Sequence, residues 1–222
     1  MKVQIYAMTS VRDAIDTVDA GADLIGVVAE NDGQVIEDCT AEQARAILAA
    51  VEDRATTIAL SLGTDVERIA HMVEVTRPRI LHLAARELPR NAVARIKARI
   101  GEVKLMMAVL VDGPGAIGVA RDYARLADYL ILDSGNSSSP VTGATGQPHD
   151  WNISARIVAE SAVPVVLAGG LSPENVAEAV RIVRPWAVDS FTRTDRPGQR
   201  GVKDPELVRA FAHNARTAAA AG

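Results

Sequence analysis

One cysteine, Cys39, in a chain of 222 residues excludes an internal disulfide framework and a zinc site built from several thiolates, and it fits a reducing cytosol. Basic charge is also scarce: 24 Lys and Arg stand against 28 Asp and Glu, a formal net charge of -4. The arginines are scattered among acids, so no broad basic surface is offered to a nucleic acid. No apolar run approaches the ~20 residues of a membrane span. Met1-Lys2-Val3-Gln4-Ile5 runs straight into a strand pattern, without the features of a secretion signal. The expectation is a cytoplasmic protein whose partner is a small molecule, with no membrane or nucleic-acid partner. Oligomeric state is not legible, because Trp186 and Phe211 are the aromatics that would mark an interface, and single aromatics beside helices usually pack into a core.

What the chain does have is apolar content, 48% of its residues, enough for one large core. Short β-branched runs begin near Val3, Leu24, Thr57, Arg79, Val103, Tyr129, Pro164 and Ala187. Between them lie segments rich in Ala, Glu and Arg with apolar residues three and four apart: Arg12 to Ala20, Ala41 to Val51, Val66 to Val75, Ala92 to Ile100, Pro114 to Arg125 and Pro173 to Val183. Runs such as Ile58-Ala59-Leu60 and Val165-Val166-Leu167 imply strands covered on both faces, as in a parallel sheet. Eight strand–helix units with no linker between them predict a single (β/α)₈ barrel domain over residues 1–222, with an open doubly wound sheet as the second reading.

Barrel chemistry sits at the C-terminal ends of the strands. That rule selects Tyr6, Glu30, Ser61, His82, Asp112, Asp133, Gly169 with Gly170, and Asp189 through Arg193. Asp133 ends the apolar run Tyr129-Leu130-Ile131-Leu132, where apolar walls can make a carboxyl a general acid; its plainer role is to cap the next loop. The Gly/Ser-rich stretch from Ser134 to Gly143 has the composition of a lid, or of an ordinary surface connection. Gly169 and Gly170 permit close approach of an anion, and Ser172 with Pro173 reads as the cap and first residue of a helix whose start favours phosphate. His82 faces the barrel interior or the helix layer depending on register. Arg193 can grip a phosphate or carboxylate with two hydrogen bonds. Glu30, Asp112 and Asp189 are candidates for sugar hydroxyls. No spacing among these residues forms a metal motif, and no cofactor is expected.

Three phrases sharpen the reading: Gly143-Ala144-Thr145-Gly146-Gln147-Pro148-His149-Asp150-Trp151, Leu167 to Val176, and Gly201-Val202-Lys203-Asp204-Pro205-Glu206. With Val3 to Thr9 and Ala20 to Gly26, they resemble the phosphoribosylanthranilate isomerase family of tryptophan biosynthesis over nearly the whole chain. The resemblance implies a (β/α)₈ barrel catalysing an Amadori rearrangement, an aldose-to-ketose isomerisation, without metal or organic cofactor. It implies Asp133 as the general acid, and phosphate held by Gly143, Thr145, Gly146, Gly169, Gly170 and Thr192. The departures are specific. Gln4-Ile5-Tyr6-Ala7 stands where the family has a Lys-Ile-Cys-Gly motif whose cysteine is the base. Glu30-Asn31-Asp32-Gly33-Gln34 occupies the place of an arginine that holds the substrate carboxylate. Phe191-Thr192-Arg193 replaces Ser-Ser-Gly, and His82-Leu83-Ala84-Ala85 replaces Gln-Leu-His-Gly.

The expected function is isomerisation of a phosphorylated sugar or sugar conjugate with an altered substrate. Asp133, Tyr6 and His82 are the catalytic candidates, with Glu30 as a further choice for the second proton-transfer group, and Glu30, Asp189 and Arg193 bind substrate. A non-catalytic sugar-phosphate binder, or another reaction such as epimerisation on the same anchored phosphate, remains open.

Overall fold

Eight parallel strands close on themselves in chain order, in a computed structural model that describes residues 1–30, 37–85, 88–134 and 149–222. The strands are β1 (Lys2–Ile5), β2 (Leu24–Glu30), β3 (Thr56–Ser61), β4 (Ile80–Leu83), β5 (Lys104–Leu110), β6 (Tyr129–Asp133), β7 (Val165–Leu167) and β8 (Ala187–Ser190). They alternate with helices α1 (Val11–Asp19), α2 (Ala41–Ala49), α3 (Val66–Thr76), α4 (Arg90–Arg99), α5 (Ala116–Tyr123), α6 (Trp151–Glu160), α7 (Val176–Val183) and α8 (Pro205–Ala220). The barrel, and not the open sheet, is the architecture. Closure comes from β1 pairing with β8, where Gln4 stands opposite Asp189.

Burial on both faces explains the continuous apolar strands. Outward residues such as Ile25, Leu81, Leu105, Leu132 and Val188 pack on the helices with Leu48, Ile69 and Phe211. Inward residues Leu24, Ile58, Ile80, Met106, Ile131, Val166 and Ala187 form a separate plug beneath the mouth. Each large side chain so buried stabilises the fold by ~1.5–3 kcal/mol. Phe211 is wholly buried, and Trp186 lies against Tyr129, ring centroids 5.2 Å apart; neither is an exposed interface marker.

Helix starts follow the capping chemistry. Ser10, Thr40, Asp65, Asp150 and Asp204 accept backbone N–H bonds at the starts of α1, α2, α3, α6 and α8, and Thr40 with Gln43 completes a capping box. The helix after β7 differs from the expectation. Ser172 to Asn175 form a turn, and α7 begins at Val176 with Asn175 before it. Ser172 accepts bonds from Asn175 and Val176 through its carbonyl, so the proline sits in that preceding turn instead of the helix.

A hairpin absent from the sequence reading follows β8. The short strands β9 (Asp195–Arg196) and β10 (Gln199–Lys203) pair antiparallel, after a 3₁₀ turn at Thr192–Thr194. Buried Lys203 pins it through Asp195 and the Phe191 carbonyl, 2.8 Å away. No helix among the described residues is long and apolar enough to cross a membrane.

Candidate active site

A cleft opens at the C-terminal ends of the strands, lined by Tyr6, His82, Asp133, Gly169, Gly170, Asp189, Thr192 and Arg193. Its remaining wall is apolar, from Val28, Leu60, Leu62, Ala84, Ala108, Ile131, Leu171 and Phe191. Strand alternation places these groups. His82 shares parity with Ile80 of the inner plug, which settles its register toward the interior.

Asp133 ends β6 with its uncovered surface toward the cleft. Its Oδ1 has no hydrogen-bond partner. Burial raises its carboxyl to about 7, against the pull of Ser134's backbone and side-chain donors. Asp189 is buried on β8 and accepts a 3.0 Å bond from Gln4 Nε2. Burial raises it to about 8, Gln4 opposing, and the neighbouring Asp133 charge adds to the rise.

Tyr6 and His82 form a neutral pair, Tyr6 Oη lying 2.8 Å from His82 Nδ1. Burial, with a smaller contribution from Asp189, drives the phenol well above its ordinary range, and burial drives the imidazole down to about 3. Both line the cleft, held as neutral groups by burial. Gly26 makes room for this pair, since a Cβ there would collide with the Tyr6 ring.

Glu30 is placed elsewhere. It lies outside the cleft lining: Ser61 Oγ and Gly63 N donate to its carboxylate, and Arg68 pairs with it at 3.2 Å. A register shift between Val28 and Glu30 breaks the alternation that would have aimed it inward. Asp112 is exposed in the loop after β5 and likewise lies outside the cleft.

Gly169 and Gly170 have φ of 85° and 68°, a region open to glycine. A Cβ on Gly169 would stand 2.7 Å from Ser134 N. The backbone N–H groups of Gly169, Gly170 and Thr192 have no hydrogen-bond partner among the described residues. Asn175 braces the loop, its Nδ2 donating to Gly170 O at 3.1 Å and its Oδ1 accepting from Ser172 N at 2.8 Å. Gly143, Thr145, Gly146 and the lid stretch beyond Ser134 lie outside the described residues. Arg193 is exposed at the rim.

The sequence matches the N-(5'-phosphoribosyl)anthranilate (PRA) isomerase family over residues 3–214. The chain belongs to the phosphoribosylanthranilate isomerase family. The N-(5'-phosphoribosyl)anthranilate isomerase of Methanocella arvoryzae is 33% identical over 97% of this chain and 98% of its own. That of Haloferax volcanii is 32% identical over 98% and 94%. The crystal structure of the Thermotoga maritima phosphoribosylanthranilate isomerase superposes with a TM-score of 0.83 at 25% identity, covering 98% of this chain and 99% of that one.

Within this family member, sequence reasoning overlooked Gln4 and the apolar wall. Alternation from Tyr6 would have aimed Gln4 inward, and alternation from Ala187 does the same for Asp189. Lys203 is buried between Asp195 and Phe191.

Proposed function

We propose that this protein is an aldose–ketose isomerase acting on a phosphorylated sugar that carries an amine substituent. One observation carries the reading: Asp133, an acid raised to about 7, shares a cleft with the unpartnered N–H groups of Gly169, Gly170 and Thr192. The N–H groups suit a phosphate. A carboxyl that titrates near neutral pH can give its proton to the sugar ring oxygen as the C1–O bond breaks and the amine lone pair forms the iminium. Relatives named N-(5'-phosphoribosyl)anthranilate isomerases supply the substrate to test first.

The substituent pocket supports an altered substrate. Val28, Leu60, Leu62 and Ala84 line its β2–β4 side, and residues 31–36 contain no Lys, Arg or His. An uncharged ring on the amine fits this wall better than a carboxylated one.

The test is fluorescence-monitored conversion of phosphoribosylanthranilate and of its aniline counterpart. Asp133→Asn is expected to lower kcat by about 10²–10⁴-fold. The aniline conjugate is expected to show the lower KM. Binding without turnover, unchanged in Asp133→Asn, would make the protein a sugar-phosphate binder instead.

A further inference from the structure

Isomerisation needs a second group that removes the C2 proton once the ring has opened, and Tyr6 and His82 are too firmly neutral to provide it. Glu30 is held elsewhere by Ser61, Gly63 and Arg68. We infer that Asp189 is this group: it lines the cleft with Asp133, and its Oδ1 is fixed by Gln4 Nε2, which leaves Oδ2 for the substrate. The assignment rests on the isomerase reading.

The geometry comes from barrel closure. Gln4 and Asp189 are register partners across the β1–β8 seam, so their side chains project to the same face. A neutral amide orients the carboxylate without neutralising it, whereas an ammonium group in its place would hold the charge as a permanent ion pair. The two carboxyls line one largely apolar cleft and are coupled electrostatically, so they titrate as a pair, and the form that reacts is the singly protonated one that carries its proton on Asp133.

The proton count closes. Asp133 protonates the ring oxygen and becomes a carboxylate as the iminium forms. Asp189 then takes the proton from C2, the C2–H electron pair becomes the C1=C2 bond, and the iminium π pair returns to nitrogen. In the enaminol so formed, C1 recovers a proton from Asp189 while the C2 hydroxyl gives its own to Asp133. The product is a 1-amino-1-deoxyketose, and both carboxyls return to their starting states.

The groups facing Asp189 are Gln4 from β1, Tyr6 just after it, Asp133 from β6 and Lys203 from β10. Burial and Asp133 raise its affinity for a proton, while Gln4 and Lys203 lower it. The wild-type kcat/KM profile is therefore expected to be a bell with limbs near about 7 and about 8. A flat profile from pH ~6 to ~9 overturns the assignment.

The deciding experiment uses phosphoribosylanthranilate in D₂O with wild type, Asp189→Asn and Tyr6→Phe. Asp189→Asn is expected to lose about 10²-fold or more in kcat with little change in KM. It is also expected to show a full primary isotope effect on substrate deuterated at C2. Tyr6→Phe is expected to stay within about tenfold of wild type. Asp189→Asn turning over within about threefold of wild type overturns the assignment alone. A wild type that neither turns over nor exchanges solvent deuterium into C1 overturns the isomerase reading and this assignment with it. The bell-shaped profile needs no variant, so it stands even where a substitution impairs folding.

Discussion

Single side chains in this barrel are decided by their neighbours more than by their own chemistry. Tyr6 looks reactive in the sequence, yet its ring lies against Gly26 and its hydroxyl against His82. Gly26→Ala is expected to push the ring out of that space and to disorder the cleft, which loss of ligand-induced thermal stabilisation would report. Tyr6→Phe leaves His82 Nδ1 without its partner and is expected to cost ~1–3 kcal/mol in stability, measured by chemical unfolding. Gly169→Ala places a side chain at φ 85° and against Ser134 N. It is expected to cost ~1–2 kcal/mol from backbone strain and to abolish the stabilisation by ribose 5-phosphate seen in the wild type. Unchanged stabilisation in that variant would remove Gly169 from the phosphate site.

At the level of strands and helices, most of the fold was readable because it depends on period. Apolar runs separated by helical spacing mark a parallel sheet, and the eight starts near Val3, Leu24, Thr57, Arg79, Val103, Tyr129, Pro164 and Ala187 each fall within about two residues of a strand start. The strand-end rule found Asp133 and Asp189 for the same reason. It failed at Glu30 because a register shift leaves no mark in composition. The proton affinities of Tyr6 and His82 were not legible, because burial, which sets them, is a property of contacts and not of residue type. Helix ends offer a check on this level. Arg184 closes α7 in the left-handed conformation, φ 52°, where glycine is preferred. Arg184→Gly is expected to stabilise the protein by ~1 kcal/mol, raising the thermal midpoint by about 2–4 °C.

For the whole molecule, the buried groups give stability a definite pH course. Asp133 and Asp189 bind protons more tightly when folded, at about 7 and about 8. Their contribution is complete below the ordinary carboxylate range near 3.8 and is lost as pH rises through those values. His82 and His149, lowered by burial to about 3 and about 4, contribute above their ordinary 6.5 and lose it as pH falls. From pH ~6.5 to ~8 only the carboxyls change, so unfolding free energy is expected to decline over that interval. Asp189→Asn is expected to raise the thermal midpoint more at pH 8 than at pH 5, and to leave it nearly unchanged only below the ordinary carboxylate range, by calorimetry. The pairing of β1 with β8 also joins the two ends of the barrel. A growing chain carries Gln4 well before Asp189, and the two meet only when the ring is shut. A circular permutant opened between α4 and β5 would shorten the stretch of chain between Gln4 and Asp189 from most of the protein to the hairpin and helix that follow the eighth strand.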